Sequence, residues 1–136
     1  MNLRIVPTAL LLLLSACATT VAAREEAPDP KLQQALAGKI VGKPKSCIAL
    51  TDARSSTTYR GAILYRVNSR LSYVNDLGKC PFLRDDNIQV LDVFGSQLCR
   101  GDIVRMVDRN SRFPSGSCVF SDFVPYVTPK DAGRAR

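Results

Sequence analysis

The chain has 136 residues, 46% of them apolar, with 19 Lys and Arg against 12 Asp and Glu, a net charge of +7, and no histidine. That length supports one domain, and the basic excess suits an anionic surface or ligand, although scattered arginines also serve solubility and local ion pairs. The missing imidazole excludes a Ser-His-Asp triad, a Cys-His nucleophile, a histidine general base and any His-containing metal site, so an enzyme here would depend on carboxylates, Lys, Tyr, Ser or Cys.

Residues 1–16 read as an export signal. Arg4 supplies the positive start, and a short apolar run to Leu14 follows, too short to span a bilayer. The run ends in Leu14-Ser15-Ala16-Cys17, which looks like a bacterial lipobox. Cys17 is then the expected lipid acceptor, carrying acyl chains such as palmitate and anchoring the protein to a membrane. Ala18, where an aspartate would signal inner-membrane retention, points to an outer-membrane lipoprotein facing the periplasm; the alternative is a soluble periplasmic chain. Residues 17–30 lack an apolar period and read as a flexible tether.

The domain is expected over residues 31–126. Asp29-Pro30 suits a helix start, because Asp caps and Pro fits the first helical position. Leu32, Leu36 and Ile40 form its apolar stripe, and the helix should end near Gly38 or Gly42. Short β candidates follow at 47–50, 62–67, 71–74, 88–94, 103–107 and 118–124, separated by turn-rich segments. The pair 62–67 and 71–74 reads as a hairpin around Asn68-Ser69-Arg70, residues 108–116 as a long polar loop, and residues 127–136 as a disordered basic tail. About six short strands and one N-terminal helix predict a mainly β fold: a small antiparallel barrel or rolled sheet, stapled by disulfides.

Cys47, Cys80, Cys99 and Cys118 form an even set in an exported chain, so disulfides are their expected state. Three connectivities are open; the favoured one joins Cys80 to Cys99 across adjacent β segments and Cys47 to Cys118. Their spacing matches neither a redox dithiol nor a common zinc pattern, and no phosphate-binding glycine loop is present, so no metal or cofactor is expected. The motifs Gly38-Lys39-Ile40-Val41-Gly42-Lys43-Pro44, Ser46-Cys47-Ile48, Cys80-Pro81-Phe82-Leu83-Arg84, Leu98-Cys99-Arg100-Gly101-Asp102 and Ser117-Cys118 with Phe123 resemble a family of small exported bacterial proteins, a domain of unknown function. The resemblance covers residues 36–126 and implies a four-cysteine exported domain, with no activity or catalytic residue to carry over.

Two function classes lead, ahead of a purely structural reading as a rigid spacer within an envelope assembly. The first is a non-catalytic binding or accessory module of the cell envelope, whose anion-binding surface would be built from Arg66, Arg70, Arg105, Arg109, Tyr65 and Tyr73. Arginine offers a planar fork to carboxylate or phosphate, and Tyr stacks on sugars. Its partner would be an envelope protein or an anionic glycan; the compartment argues against nucleic acid. The second is a small carboxylate-dependent hydrolase or lyase, needing Asp122 or Asp102 to converge with a Tyr in a deep pocket. Asp85, Asp86, Asp92 and Asp108 read as solvated turn acids, Asp122 as a strand acid that burial would oblige to find an arginine, and Arg100-Gly101-Asp102 as a turn.

Overall fold

The computed structural model describes residues 28–130, so the expected signal sequence, Cys17, most of the tether and residues 131–136 lie outside the described residues. The first described element is a short helix, α1 (Pro30–Leu36). Asp29 caps it by accepting the Lys31 N–H at 2.9 Å, and its other carboxylate oxygen accepts the Arg60 N–H at 3.0 Å. These bonds, Arg60 first, hold the Asp29 carboxyl below its ordinary range. One side chain therefore caps the helix and pins it to the sheet. The helix stops short of the expected stripe: Gly38 takes a left-handed φ of 74°, and Ile40 enters a strand with 61% of its surface exposed. Leu32 is the buried helical residue, packed with Ala62, Leu64 and Val74.

Ten short strands follow among the described residues, against about six expected: β1 (Ile40–Val41), β2 (Cys47–Ala49), β3 (Ser56–Tyr59), β4 (Ala62–Arg66), β5 (Leu71–Asp76), β6 (Asn87–Leu91), β7 (Gln97–Cys99), β8 (Ile103–Asp108), β9 (Pro114–Val119) and β10 (Phe123–Val127). Three of the extra strands, β1, β3 and β7, are pieces of two to four residues, and the fourth comes from the division of the last expected strand between β9 and β10. They assemble into three antiparallel sheets, in the orders β1-β10-β5-β4-β3, β2-β7 and β6-β8-β9. The fold is mainly β with one helix, as the residue pattern predicts, and the sheets do not close into a barrel among the described residues.

The β4–β5 hairpin forms as read, with the Asn68 carboxamide oxygen accepting the N–H groups of Arg70 and Leu71. The runs at 88–94 and 103–107 supply β6 and β8, which pair directly. The stretch 118–124 is not one strand. It divides into the end of β9, a crossover at residues 120–122, and β10, so the chain passes from the third sheet to the first. Asn75, fully buried on β5, holds that crossover: its Oδ1 accepts the Ser121 N–H at 3.1 Å and its Nδ2 donates to the Ser121 carbonyl at 2.8 Å. The loop at 108–116 is shorter than expected, because β9 begins at Pro114. Ordered structure also reaches past residue 126: Val127 pairs with Leu71, and the Thr128 N–H reaches the Arg70 carbonyl.

The disulfides are Cys47–Cys99 and Cys80–Cys118, which replaces the expected pairing. The reason is β7. It leaves its chain neighbours and pairs with β2, setting Cys99 directly opposite Cys47. Cys118, on β9 opposite Val104, is left to the turn that carries Cys80. Loops of 52 and 38 residues are closed, and restriction of the unfolded chain makes each worth about 4 kcal/mol. The main core lies between the layers and draws Ile48, Ile63, Tyr65, Leu98, Val104, Met106, Phe120 and Phe123 from all three sheets and the crossover.

Candidate functional site

Alternation along β4 and β5 decides where the expected anion-binding residues point. Ala62 and Leu64 face α1, and Arg66 continues on that side; Ile63 and Tyr65 face the main core. Tyr65 is 1% exposed and Tyr73 4%, so neither belongs to a surface. Burial pushes the Tyr65 phenol well above its ordinary value near 10, and its hydroxyl has no hydrogen-bond partner among the described residues. The Tyr73 phenolic oxygen accepts from Lys45 Nζ at 3.3 Å.

The four arginines do not share one environment. Arg105, on β8, is held by Asp92 through Nε–Oδ2 at 2.7 Å and Nη2–Oδ1 at 2.9 Å. Arg70 is exposed in the β4–β5 turn. Arg109 lines a polar cleft of about 480 Å³ together with Asp85 and residues of β3 and β6. Arg66 lies opposite Ser72 in the β4–β5 ladder and shares its face of the sheet.

That face holds a cation the residue pattern did not single out. Lys39, just before β1, donates from Nζ to the buried Ser72 hydroxyl at 3.0 Å. Partial burial, and then the positive charge of Arg66, hold the Lys39 ammonium below its ordinary value. Lys39 bonds the Ser72 hydroxyl while Arg66, opposite Ser72 in the ladder, adds its charge nearby, and no carboxylate among the described residues forms an ion pair with either cation. The available signal was weak: Lys39 sits 33 residues from Ser72, and only the β1–β10–β5 order brings them together.

The candidate carboxylates are mostly engaged. Asp122 lies in the crossover rather than in a strand, and both of its oxygens accept from Arg100 Nη1, at 3.1 and 3.2 Å. The expected arginine is present, but the pair is solvent-exposed, with side-chain exposures of 61% and 41%. Asp102 accepts the Cys99 N–H at 2.7 Å, so Arg100-Gly101-Asp102 is a turn whose two charged ends are both occupied. Asp86 meets Arg84 at 3.4 Å. Asp108 caps its own turn through Ser111 and Asn110, the Ser111 bonds first in holding its carboxyl below the usual range. Asp85 stands at the rim of the cleft. Among the described residues, no group of three His, Cys, Asp or Glu is placed to hold a metal ion.

Compared with protein-family models, with curated proteins and with solved structures, the chain finds no match.

Proposed function

We propose that this chain is a non-catalytic binding module of a bacterial cell envelope, one of the small exported four-cysteine proteins it resembles, anchored through lipid on Cys17. Its helix-side basic face takes an anionic group of an envelope protein or glycan. The observation that carries the reading is the proximity of Lys39, bonded to Ser72, to the charge of Arg66 without an ion-paired carboxylate among the described residues. Two like charges held close repel each other, and an anion bound between them relieves that repulsion while accepting from ammonium and guanidinium. Two disulfides suit an oxidising compartment.

The test is in-cell crosslinking from a photoreactive residue at position 70, on the exposed turn four residues beyond Arg66. One reproducible partner is expected, with its yield falling at least tenfold in the Lys39→Gln, Arg66→Gln double variant. An unchanged yield in a variant with native circular dichroism, or no partner for the wild type, rejects the reading.

A further inference from the structure

The first and third sheets approach each other along an unpaired seam. β3 is the outermost strand of the first sheet and β6 an outer strand of the third. Each edge has main-chain groups to spare. In the β3–β4 ladder the Arg66 N–H reaches the Ser55 carbonyl, so Ser55, Thr57 and Tyr59 bond inward, while Ser56 and Thr58 direct their N–H and C=O groups outward. In the β6–β8 ladder the Arg109 N–H reaches the Asp86 carbonyl, so Ile88 and Val90 bond to β8, and Gln89 faces the seam. No backbone bond joins β3 to β6.

One side-chain contact spans the gap. Gln89 Nε2 donates to Thr58 Oγ1 at 2.7 Å. Thr58 lies opposite Ile63 and Gln89 opposite Met106, two fully buried residues, so this bridge crosses on the core side and floors the cleft. Ordinary bond lengths limit the distance between the Thr58 and Gln89 Cα atoms to about 10 Å when such a bridge is made. A strand bonded to both edges needs two inter-strand spacings, about 9.6 Å. That upper bound leaves room for one extended chain between the two edges.

From this we infer that the β3–β6 seam is a docking groove for an extended peptide segment of a partner protein, which adds as a strand between the two edges. The partner's main chain bonds to Ser56 and Thr58 on one side and to Gln89 on the other. A small side chain sits over the Gln89–Thr58 bridge. A carboxylate at one end meets Arg109, whose guanidinium makes no ion pair among the described residues. A polypeptide fits better than a glycan because none of the lining residues is aromatic, and sugar recognition relies on stacking against rings. The cleft volume of about 480 Å³ is ample for a short extended segment. This inference does not rest on the basic face, since neither Lys39 nor Arg66 lines the cleft.

The test titrates the uniformly nitrogen-15-labelled, disulfide-bonded chain with one probe. The probe is a blocked heptapeptide of alternating threonine and valine, with alanine at its centre and glutamate at its C-terminal end. Amide signals of Ser56, Thr58 and Gln89 are expected to shift and saturate, and their hydrogen exchange to slow at least tenfold. Thr58→Pro removes an outward N–H without touching the β3–β4 ladder, and is expected to weaken binding at least tenfold. Should that variant fail to fold, the same peptide N-methylated at alternate residues reads the same bonds on the wild-type protein. The inference is overturned if millimolar peptide shifts none of these amides. It is equally overturned if the N-methylated peptide binds as tightly as the parent, or if an anionic oligosaccharide fills the cleft while the peptide does not.

Discussion

Tyr65 carries the sharpest energetic statement in the structure. The residue is 1% exposed and its ring packs 6.0 Å, centroid to centroid, from Phe123, while its hydroxyl is desolvated without a partner among the described residues. A buried polar group left unsatisfied costs about 1–3 kcal/mol. Tyr65→Phe keeps the ring and removes the group, leaving a void of one oxygen that costs a few tenths of a kcal/mol, on the order expected for so small a cavity. The net is a gain of about 1–2 kcal/mol, and each kcal/mol in a domain of this size moves Tm by roughly 4–8 °C. Urea unfolding of the oxidised protein at pH 7 measures it.

The same residue sets an alkaline limit. Burial raises its folded-state pKa above the ordinary value near 10, so above that pH the unfolded chain releases a proton that the folded chain retains. The stabilisation is complete below pH 10 and declines as pH rises further, by up to about 1.4 kcal/mol per pH unit. Phenylalanine has no such proton, so the advantage of the variant should widen between pH 10 and 11. A variant less stable than wild type by more than about 1 kcal/mol at pH 7, or an advantage that stays flat above pH 10, would refute the reasoning.

Two further outcomes are expected. Gly116, at φ 152°, lies so close beneath the Phe82 ring that an added Cβ would stand 2.4 Å from Cδ2; Gly116→Ala should cost about 1–3 kcal/mol in urea unfolding, partly recovered by Phe82→Ala, and a cost under about 0.5 kcal/mol would mean that the ring moves freely. Radiolabelled palmitate should enter the wild-type chain in cells and be absent from Cys17→Ala; equal labelling would remove the anchor from the functional reading.

Local chemistry was legible wherever a short stretch decides its own conformation. Asp29-Pro30 caps α1, Asn68 closes the β4–β5 turn, and the runs at 88–94 and 103–107 become β6 and β8. The cysteine pairing was not legible, because it depends on β7 pairing with β2, some fifty residues away, rather than with its neighbours. Tyr65 was misread for another reason. Residues 62–65 are all buried, since β4 is covered by α1 on one face and by the core on the other. No polar–apolar alternation then remains to tell which face a tyrosine occupies. Lys39 became visible only once the sheet order brought it beside Ser72 and Arg66.

The way the layers are tied explains why one seam stays open. At the β9–β10 junction the chain itself crosses between sheets, Asn75 grips the crossover, and the Gly101 N–H and Phe120 carbonyl join it to the turn after β7. The Lys45–Phe123 bridge ties the segment before the small β2–β7 sheet to the same region, and Cys47–Cys99 staples the two strands of that sheet to each other. The β3–β6 side has one side-chain hydrogen bond and no ladder. A rolled sheet fastened along one side and bridged at a single point along the other opens most easily where its bonds are fewest. Pairing β3 with β6 would join the first and third sheets, but it would also consume the outward main-chain groups of Thr58 and Gln89. The unpaired β3 and β6 edges are therefore what gives this fold a place to receive another strand.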